Sequence, residues 1–221
     1  MKGKWGGGRG PGGERESRVM TVRIMIAEDQ TMVRQALVSL LELEDDITVV
    51  AEAASGDEAI AMALRHQPDV ALLDIEMPGP DGLEVARRLG KDGFGGKIVI
   101  VTTFGRPGYL AAAMAAGARG FLLKDAPAAE LAKAIRRVYA GERVVDPALA
   151  AAALAEGASP LTARETEVLS AARGHAAIAG LAASLHLSQG TVRNHLSAAI
   201  QKLGARNRAE AVQIAERKGW L

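Results

Sequence analysis

The chain has 221 residues, 48% of them hydrophobic and 24% charged, with a formal net charge of +1 and no cysteine. This length supports one large domain or two small ones, each with its own core, and two is the better reading. The lack of cysteine excludes disulfides and thiolate metal sites and fits a reducing compartment. No apolar run is long enough to cross a bilayer, and the N-terminus lacks the apolar core of a signal peptide, so the expectation is a soluble, cytoplasmic protein without membrane insertion.

The net charge hides an uneven distribution: residues 1–20 carry +3, residues 21–140 carry −4 and residues 141–221 carry +2. Residues 1–20 are rich in Gly and charge and poor in apolar side chains, so they cannot repay the entropy of ordering and are expected to be a disordered extension. The mildly basic C-terminal segment permits a nucleic-acid partner without demanding one.

From Val22 onward, short apolar runs alternate with stretches of helical period, the pattern of strands and helices wound into a parallel sheet. The strands read as 22–26, 47–53, 70–74, 97–102 and 120–123. The first helix shows a stripe of Val33, Leu37, Leu40 and Leu41, and the last shows Leu131, Ala134, Ile135 and Val138. Near-continuous apolar strands need cover on both faces, so the expected fold is an α/β, flavodoxin-like, doubly wound five-stranded sheet of order 2-1-3-4-5 over residues 21–140. Residues 141–160 read as a linker holding one short helix, and a second, all-α domain follows over 161–221.

In such a sheet the C-terminal strand ends share one edge, which is where ligands bind. Glu28 and Asp29 follow the first strand, Asp74 ends the third, Thr102 the fourth, and Lys124 follows the fifth. Carboxylates gathered this closely repel unless a cation neutralises them, and oxygen donors without Cys or a His cluster favour a hard ion, Mg²⁺ above all. The turn MPGPDG after Asp74 sets a sharp exit from the sheet, and the Glu76 carbonyl could add a metal oxygen. Asp74 can then attack phosphorus while Lys124 screens the transferring oxygens. Taken singly, each residue also has a plain structural reading, as a turn cap, a strand residue or a solvated lysine.

The acidic pair, the Asp before MPxxDG, the Thr and the Lys together resemble the receiver domain of two-component response regulators. That resemblance implies Asp74 as phosphoacceptor, a Mg²⁺ site of Glu28, Asp29, Asp74 and the Glu76 carbonyl, and phosphoryl contacts from Thr102 and Lys124. Phe121, in AAGARGFLLKD, matches the family's switch aromatic, although Phe in a short strand is equally a core side chain.

In the last segment, SLHLSQGTVRNHLSAAIQKLG reads as a turn and an amphipathic helix with Ser188 as N-cap. Val192, Leu196, Ala199, Ile200 and Leu203 form the apolar stripe; Arg193, Asn194, Ser197 and Gln201 lie opposite, a face fitted to base edges if it enters a groove. LTxRExEVL, LxLSxGTVRNHLS and KLGARNRAEAV resemble the LuxR/FixJ-type helix-turn-helix, and the ending resembles the DesR-type subgroup. The resemblance implies base contacts from Arg193, Asn194 and Ser197 and phosphate contacts from Ser188, Thr191 and Lys202. His195 reads as a packing or backbone-contact residue, and His66, His175 and His186 lack metal spacing. Three departures stand out: Gly180 replaces the usual acidic residue, His175 replaces the usual Gly, and AAIAGLA lacks a Ser or Thr cap.

The whole chain thus resembles a NarL/FixJ-family response regulator. The resemblance implies a sensor histidine kinase that phosphorylates Asp74, a homodimer favoured by phosphorylation, and double-stranded DNA as target. It implies no enzyme beyond the receiver's own phosphoryl transfer and dephosphorylation. Two alternatives compete: a phosphohydrolase using Asp74 and Mg²⁺, which would want a second catalytic acid two residues on with Thr beyond it, whereas DIEMP supplies Glu76 and then Met77, and a phosphate-independent DNA-binding or interaction protein whose receiver only dimerises.

Overall fold

The computed structural model describes residues 21–103, 105–173 and 177–221. The expectations for residues 1–20 and for His175 therefore lie outside the described residues. The elements run β1 (Val22–Ala27), α1 (Thr31–Leu41), β2 (Ile47–Ala53), α2 (Gly56–His66), β3 (Val70–Leu73), α3 (Gly82–Lys91), β4 (Lys97–Thr102), α4 (Pro107–Ala115), β5 (Gly120–Leu123), α5 (Ala128–Tyr139), β6 (Val144–Val145), α6 (Pro147–Glu156), α7 (Ala163–Ala171), α8 (Ile178–Ser184), α9 (Gln189–Lys202) and α10 (Arg208–Lys218).

The sheet is parallel throughout with order β2-β1-β3-β4-β5-β6. Six strands replace the expected five: Val144 and Val145 pair with Gly120 and Phe121 in a stretch read as linker. A two-residue strand has too few side chains to show alternation, so no period could reveal it. β1 runs one residue further than expected, to Ala27, and β3 stops one short, leaving Asp74 just beyond the ladder.

Alternation along each strand sorts the core into two layers. Met25, Ala71, Leu73, Ile98, Ile100 and Phe121 face α2, α3 and α4. Ile24, Ile26, Val70, Leu72, Val99 and Val101 face α1 and α5. On α5 the expected stripe is buried in full. On α1 the expectation needs correcting: Leu41 is buried and Leu37 packs on the core, but Leu40 is 44% exposed and Val38 takes the inward position. Leu40 lies three residues after Leu37 and Val38 three before Leu41, so helical spacing alone could not choose between them. Met32 and Leu43 also face solvent.

The helical segment has its own small core, in which Val168, Leu169, Leu181, Val192 and Leu196 pack with five alanines. α7 opens with a reciprocal capping box between Thr162 and Glu165. Glu165, only 6% exposed, also receives the Lys202 ammonium of α9 at 2.7 and 2.9 Å. Lys202, helped by the Thr162 N–H, holds the Glu165 carboxyl below its ordinary value of 4.5. Its contribution is therefore complete at neutral pH and is lost as pH falls through that lowered value. Glu165→Gln should cost about 1–2 kcal/mol at pH 7 and flatten the acid limb of stability, which thermal melts from pH 7 to pH 3 would register; an unaltered acid limb would refute the assignment.

Candidate functional site

Ladder hydrogen bonds carry the polar residues to one edge of the sheet. The Glu28 N–H bonds the Ala53 carbonyl at 3.0 Å, the Asp74 N–H the Ala27 carbonyl at 2.9 Å, and the Lys124 N–H the Thr102 carbonyl at 2.9 Å. Pairing thus continues one residue past β1, β3 and β5, and the side chains at those positions converge. Lys124 Nζ lies 2.5 Å from Glu28 Oε2 and 2.8 Å from Asp74 Oδ2. Glu28, Asp74 and Thr102 are all buried. One donor oxygen from each of Glu28, Asp29 and Asp74 lies within 4.8 Å of the others, and Asp29 is the more open of the three.

Each acid is held by its neighbours. Asp74 Oδ1 accepts from the Ile75 N–H at 2.8 Å, which leaves Oδ2 beside Lys124. Glu28 Oε1 accepts from the Gln30 N–H at 3.1 Å, and Arg34 Nη1 donates to the Glu28 carbonyl at 2.6 Å. Glu28 Oε2 is buried and, despite its 2.5 Å separation from Lys124, lies outside hydrogen-bond geometry. Burial pushes the Glu28 carboxyl above its ordinary value, and the Lys124 ammonium pulls the other way. Burial alone would lower Lys124, but the Asp74 and Glu28 carboxylates beside it outweigh that, and the ammonium is raised.

Three carboxylates with donor oxygens this close, one ammonium between two of them, and no sulfur or imidazole in the cluster suit a hard divalent cation. The Glu76 carbonyl belongs to the turn next to Asp74, while its side chain, 3.9 Å from the Arg106 guanidinium, points elsewhere. Thr102 shares a sheet face with Phe121, as the pairing of Phe121 with Ile100 requires. Phe121 is fully buried in the α4-side layer.

The expected nucleic-acid face lies on α9. Ser188 caps it, accepting from the Thr191 N–H at 3.0 Å, and its hydroxyl lies 2.8 Å from that of Thr191. Val192, Leu196 and Ala199 are buried, with Ile200 and Leu203 packed beside them. Arg193, Asn194 and Ser197 are exposed together, and His195 is half-buried between the two faces. Lys202 stands apart from this face, tied to Glu165. α8 begins without a side-chain cap, as its sequence suggested, and Gly180 is exposed on it.

Comparison with known proteins agrees with both halves. Residues 24–136 match the response regulator receiver domain, and residues 159–215 match the bacterial regulatory proteins of the luxR family. Over 200 residues, 90% of this chain, identity is 49% to the uncharacterized transcriptional regulatory protein YvfU of Bacillus subtilis (strain 168), covering 100% of that protein. Identity to the transcriptional regulatory protein DesR of the same strain is 48%, covering 90% of this chain and 99% of that one. The chain belongs to the LuxR-type two-component response regulators. Among solved structures, the response regulator ChrA of a heme-sensing two-component system superposes with a TM-score of 0.55 at 37% identity, covering 91% of this chain and 100% of that one.

In this response regulator the acidic corner also depends on residues that the sequence did not mark. Arg34, which anchors the Glu28 carbonyl and lies 3.3 Å from Glu52, sits in an unremarkable helical stretch. Gly82 starts α3 against the Asp74 carbonyl, where a Cβ would stand 2.0 Å from the oxygen. Gly56 starts α2 against the MPGPDG turn: its N–H bonds the Pro78 carbonyl at 3.0 Å, and a Cβ would stand 1.9 Å from the Pro80 oxygen. The PDG triplet hinted at Gly82; nothing local hinted at Gly56, whose constraint comes from a turn more than twenty residues away. Although alanine is the better helix former, Gly56→Ala should destabilise the receiver by about 1–3 kcal/mol, and urea unfolding showing equal or greater stability would contradict this close contact.

Proposed function

We propose that this response regulator accepts a phosphoryl group on Asp74 from the histidine of a sensor kinase, and that phosphorylation promotes pairing of two copies and sequence-specific binding to double-stranded DNA. The observation that carries this reading is Lys124 bridging Glu28 and Asp74, with Asp29 and Thr102 at the same sheet edge. The Asp74 oxygen beside Lys124 attacks phosphorus; an O–P bond forms, the N–P bond to the kinase histidine breaks, and the imidazole leaves with the electron pair. The Ile75 N–H fixes the other carboxylate oxygen and so the direction of attack. Lys124 turns from carboxylate to the new phosphoryl oxygens, and the Thr102 hydroxyl donates to one of them.

Glu28, Asp29, Asp74 and the Glu76 carbonyl would hold Mg²⁺, which supplies charge neutralisation at the transferring oxygens. The protein would work in the cytoplasm, where a kinase can reach it; no described helix is long and apolar enough to cross a membrane. In this reading the chain catalyses only its own phosphoryl transfer and dephosphorylation. The receiver comprises residues 21–140 and the DNA-binding domain residues 161–221.

On DNA, α9 enters the major groove, with Arg193 matched to guanine, Asn194 to adenine, and Ser197 beside them. Ser188 and Thr191 at the start of α9 meet phosphates, favoured by the positive end of the helix. Lys202 already gives two N–H groups to Glu165, which leaves one of its three for a phosphate oxygen.

With Mg²⁺ and a small-molecule phosphodonor, intact-mass measurement should show one added phosphoryl group on the wild type and none on Asp74→Asn; a labelled variant would move the acceptor elsewhere. Arg193→Ala should weaken binding to selected DNA by about 1–3 kcal/mol and relax base preference at one position, whereas equal loss on every sequence would make Arg193 a backbone contact.

A further inference from the structure

The turn from β1 to α1 carries two of the three acids of the corner, and α1 does little to fix it. That helix opens on Gln30 with no side-chain cap and no acid in its first turn. Three bonds converge on Glu28 instead. Its N–H donates to the Ala53 carbonyl at 3.0 Å, its Oε1 accepts from the Gln30 N–H at 3.1 Å, and its carbonyl accepts from Arg34 Nη1 at 2.6 Å. Arg34 also makes the first helical bond of α1, from its N–H to the Gln30 carbonyl at 2.9 Å. Asp29, the most open of the acids, lies between Glu28 and Gln30, so the backbone held on either side sets where its carboxylate points.

Arg34 is aimed from the neighbouring strand. Glu52 Oε2 lies 3.3 Å from Arg34 Nε and accepts from Gln35 Nε2 at 2.9 Å. The place of Glu52 depends on a register shift: Ile24 pairs with Val49 but Met25 pairs with Ala51, so β2 carries one extra residue, Val50. Paired residues share a face of the sheet, and Glu52, opposite Ile26, therefore faces α1. Without the extra residue Glu52 would oppose Ala27 and face α2. The bulge turns this carboxylate toward the guanidinium that closes the Glu28–Gln30 turn.

We propose that Arg34 is a positioning residue for the divalent-cation site: aimed by Glu52 and Gln35, it holds Glu28 and Asp29 in the arrangement that receives Mg²⁺. This rests on the reading of Glu28, Asp29 and Asp74 as the Mg²⁺ site. Position and charge act here with opposite signs. Arg34 brings a positive charge near a site that must attract a cation, so on Coulomb grounds alone its loss would tighten binding. Loss of a group that orients metal ligands instead weakens binding, typically by roughly 10–100-fold. Position wins, because Glu52 already meets the charge of the guanidinium and little repulsion is left to relieve. The Arg34 side chain is only 14% exposed, so water does not readily take over its bond to the Glu28 carbonyl.

Mn²⁺ serves as the probe, because its free-ion electron paramagnetic resonance signal falls as it binds. In the full-length protein, Arg34→Met, which keeps the packed stem but has no donor, should bind Mn²⁺ about 10-fold more weakly than wild type. Arg34→Lys can still donate to the Glu28 carbonyl and should stay within about 3-fold of wild type. Combining Arg34→Met with Glu52→Gln removes one charge of each sign, so its loss of affinity reports position alone. Equal or tighter binding by either Met variant overturns the proposal, as does an equal loss in Arg34→Lys. Should Arg34→Met not fold, Glu52→Gln carries the readout. It should weaken Mn²⁺ binding at least about 3-fold, by the same factor at about 0.05 and 0.5 M salt; a loss that salt abolishes is charge alone and overturns the positioning role. Asp29→Asn separates the two ideas. If it titrates like wild type, the metal reading of the corner fails; if it weakens binding while Arg34→Met does not, the positioning role fails alone.

Discussion

The Lys124 ammonium lies between the carboxylates of Glu28 and Asp74 at the end of a parallel sheet, and the receiver is organised around that contact. Bringing three charged groups out of water costs several kcal/mol each, and their mutual attraction offsets this only where geometry is good. Here the geometry comes from backbone pairing that continues one residue past β1, β3 and β5. The order β2-β1-β3-β4-β5 puts β1 beside β3 and β3 beside β4, so residues far apart in sequence become neighbours at one edge. One positive charge against three carboxylates leaves an excess of negative charge, which a divalent cation would offset.

The DNA-binding half solves a different problem. Its core is small and rich in alanine, so little apolar area fixes the angle between its helices. Glu165 supplies what packing does not: it caps α7 and grips Lys202 near the end of α9, tying the scaffold helix to the helix that presents Arg193 and Asn194. Lys202 therefore has a structural duty that its place in a helix-turn-helix motif would not suggest.

What could be read from the sequence was whatever is encoded locally. Four apolar residues ending on Asp74 mark a buried strand and its exit, and the order of the first five strands follows from their alternation with helices. The acidic corner was legible because each of its members sits at a strand end. β6 was not, since two residues carry no period, and Leu40 was placed inward because Val38 fits the same helical geometry. Gly56, Gly108 and Arg106 escaped for a shared reason: each meets backbone from a distant part of the chain. A glycine at the start of a helix gives no sign of which carbonyl presses against it.

The α6 helix joins the two halves, with Leu149 seated on the receiver and Glu156 tied to Lys218. A connection of this kind behaves as a shaft and not as a string. Each residue added within it turns its far end, where Glu156 meets Lys218, by roughly 100° and advances that end by about 1.5 Å. Natural or engineered length changes between Leu149 and Glu156 would therefore be tolerated by angular phase, with whole turns spared, instead of by how many residues were gained or lost.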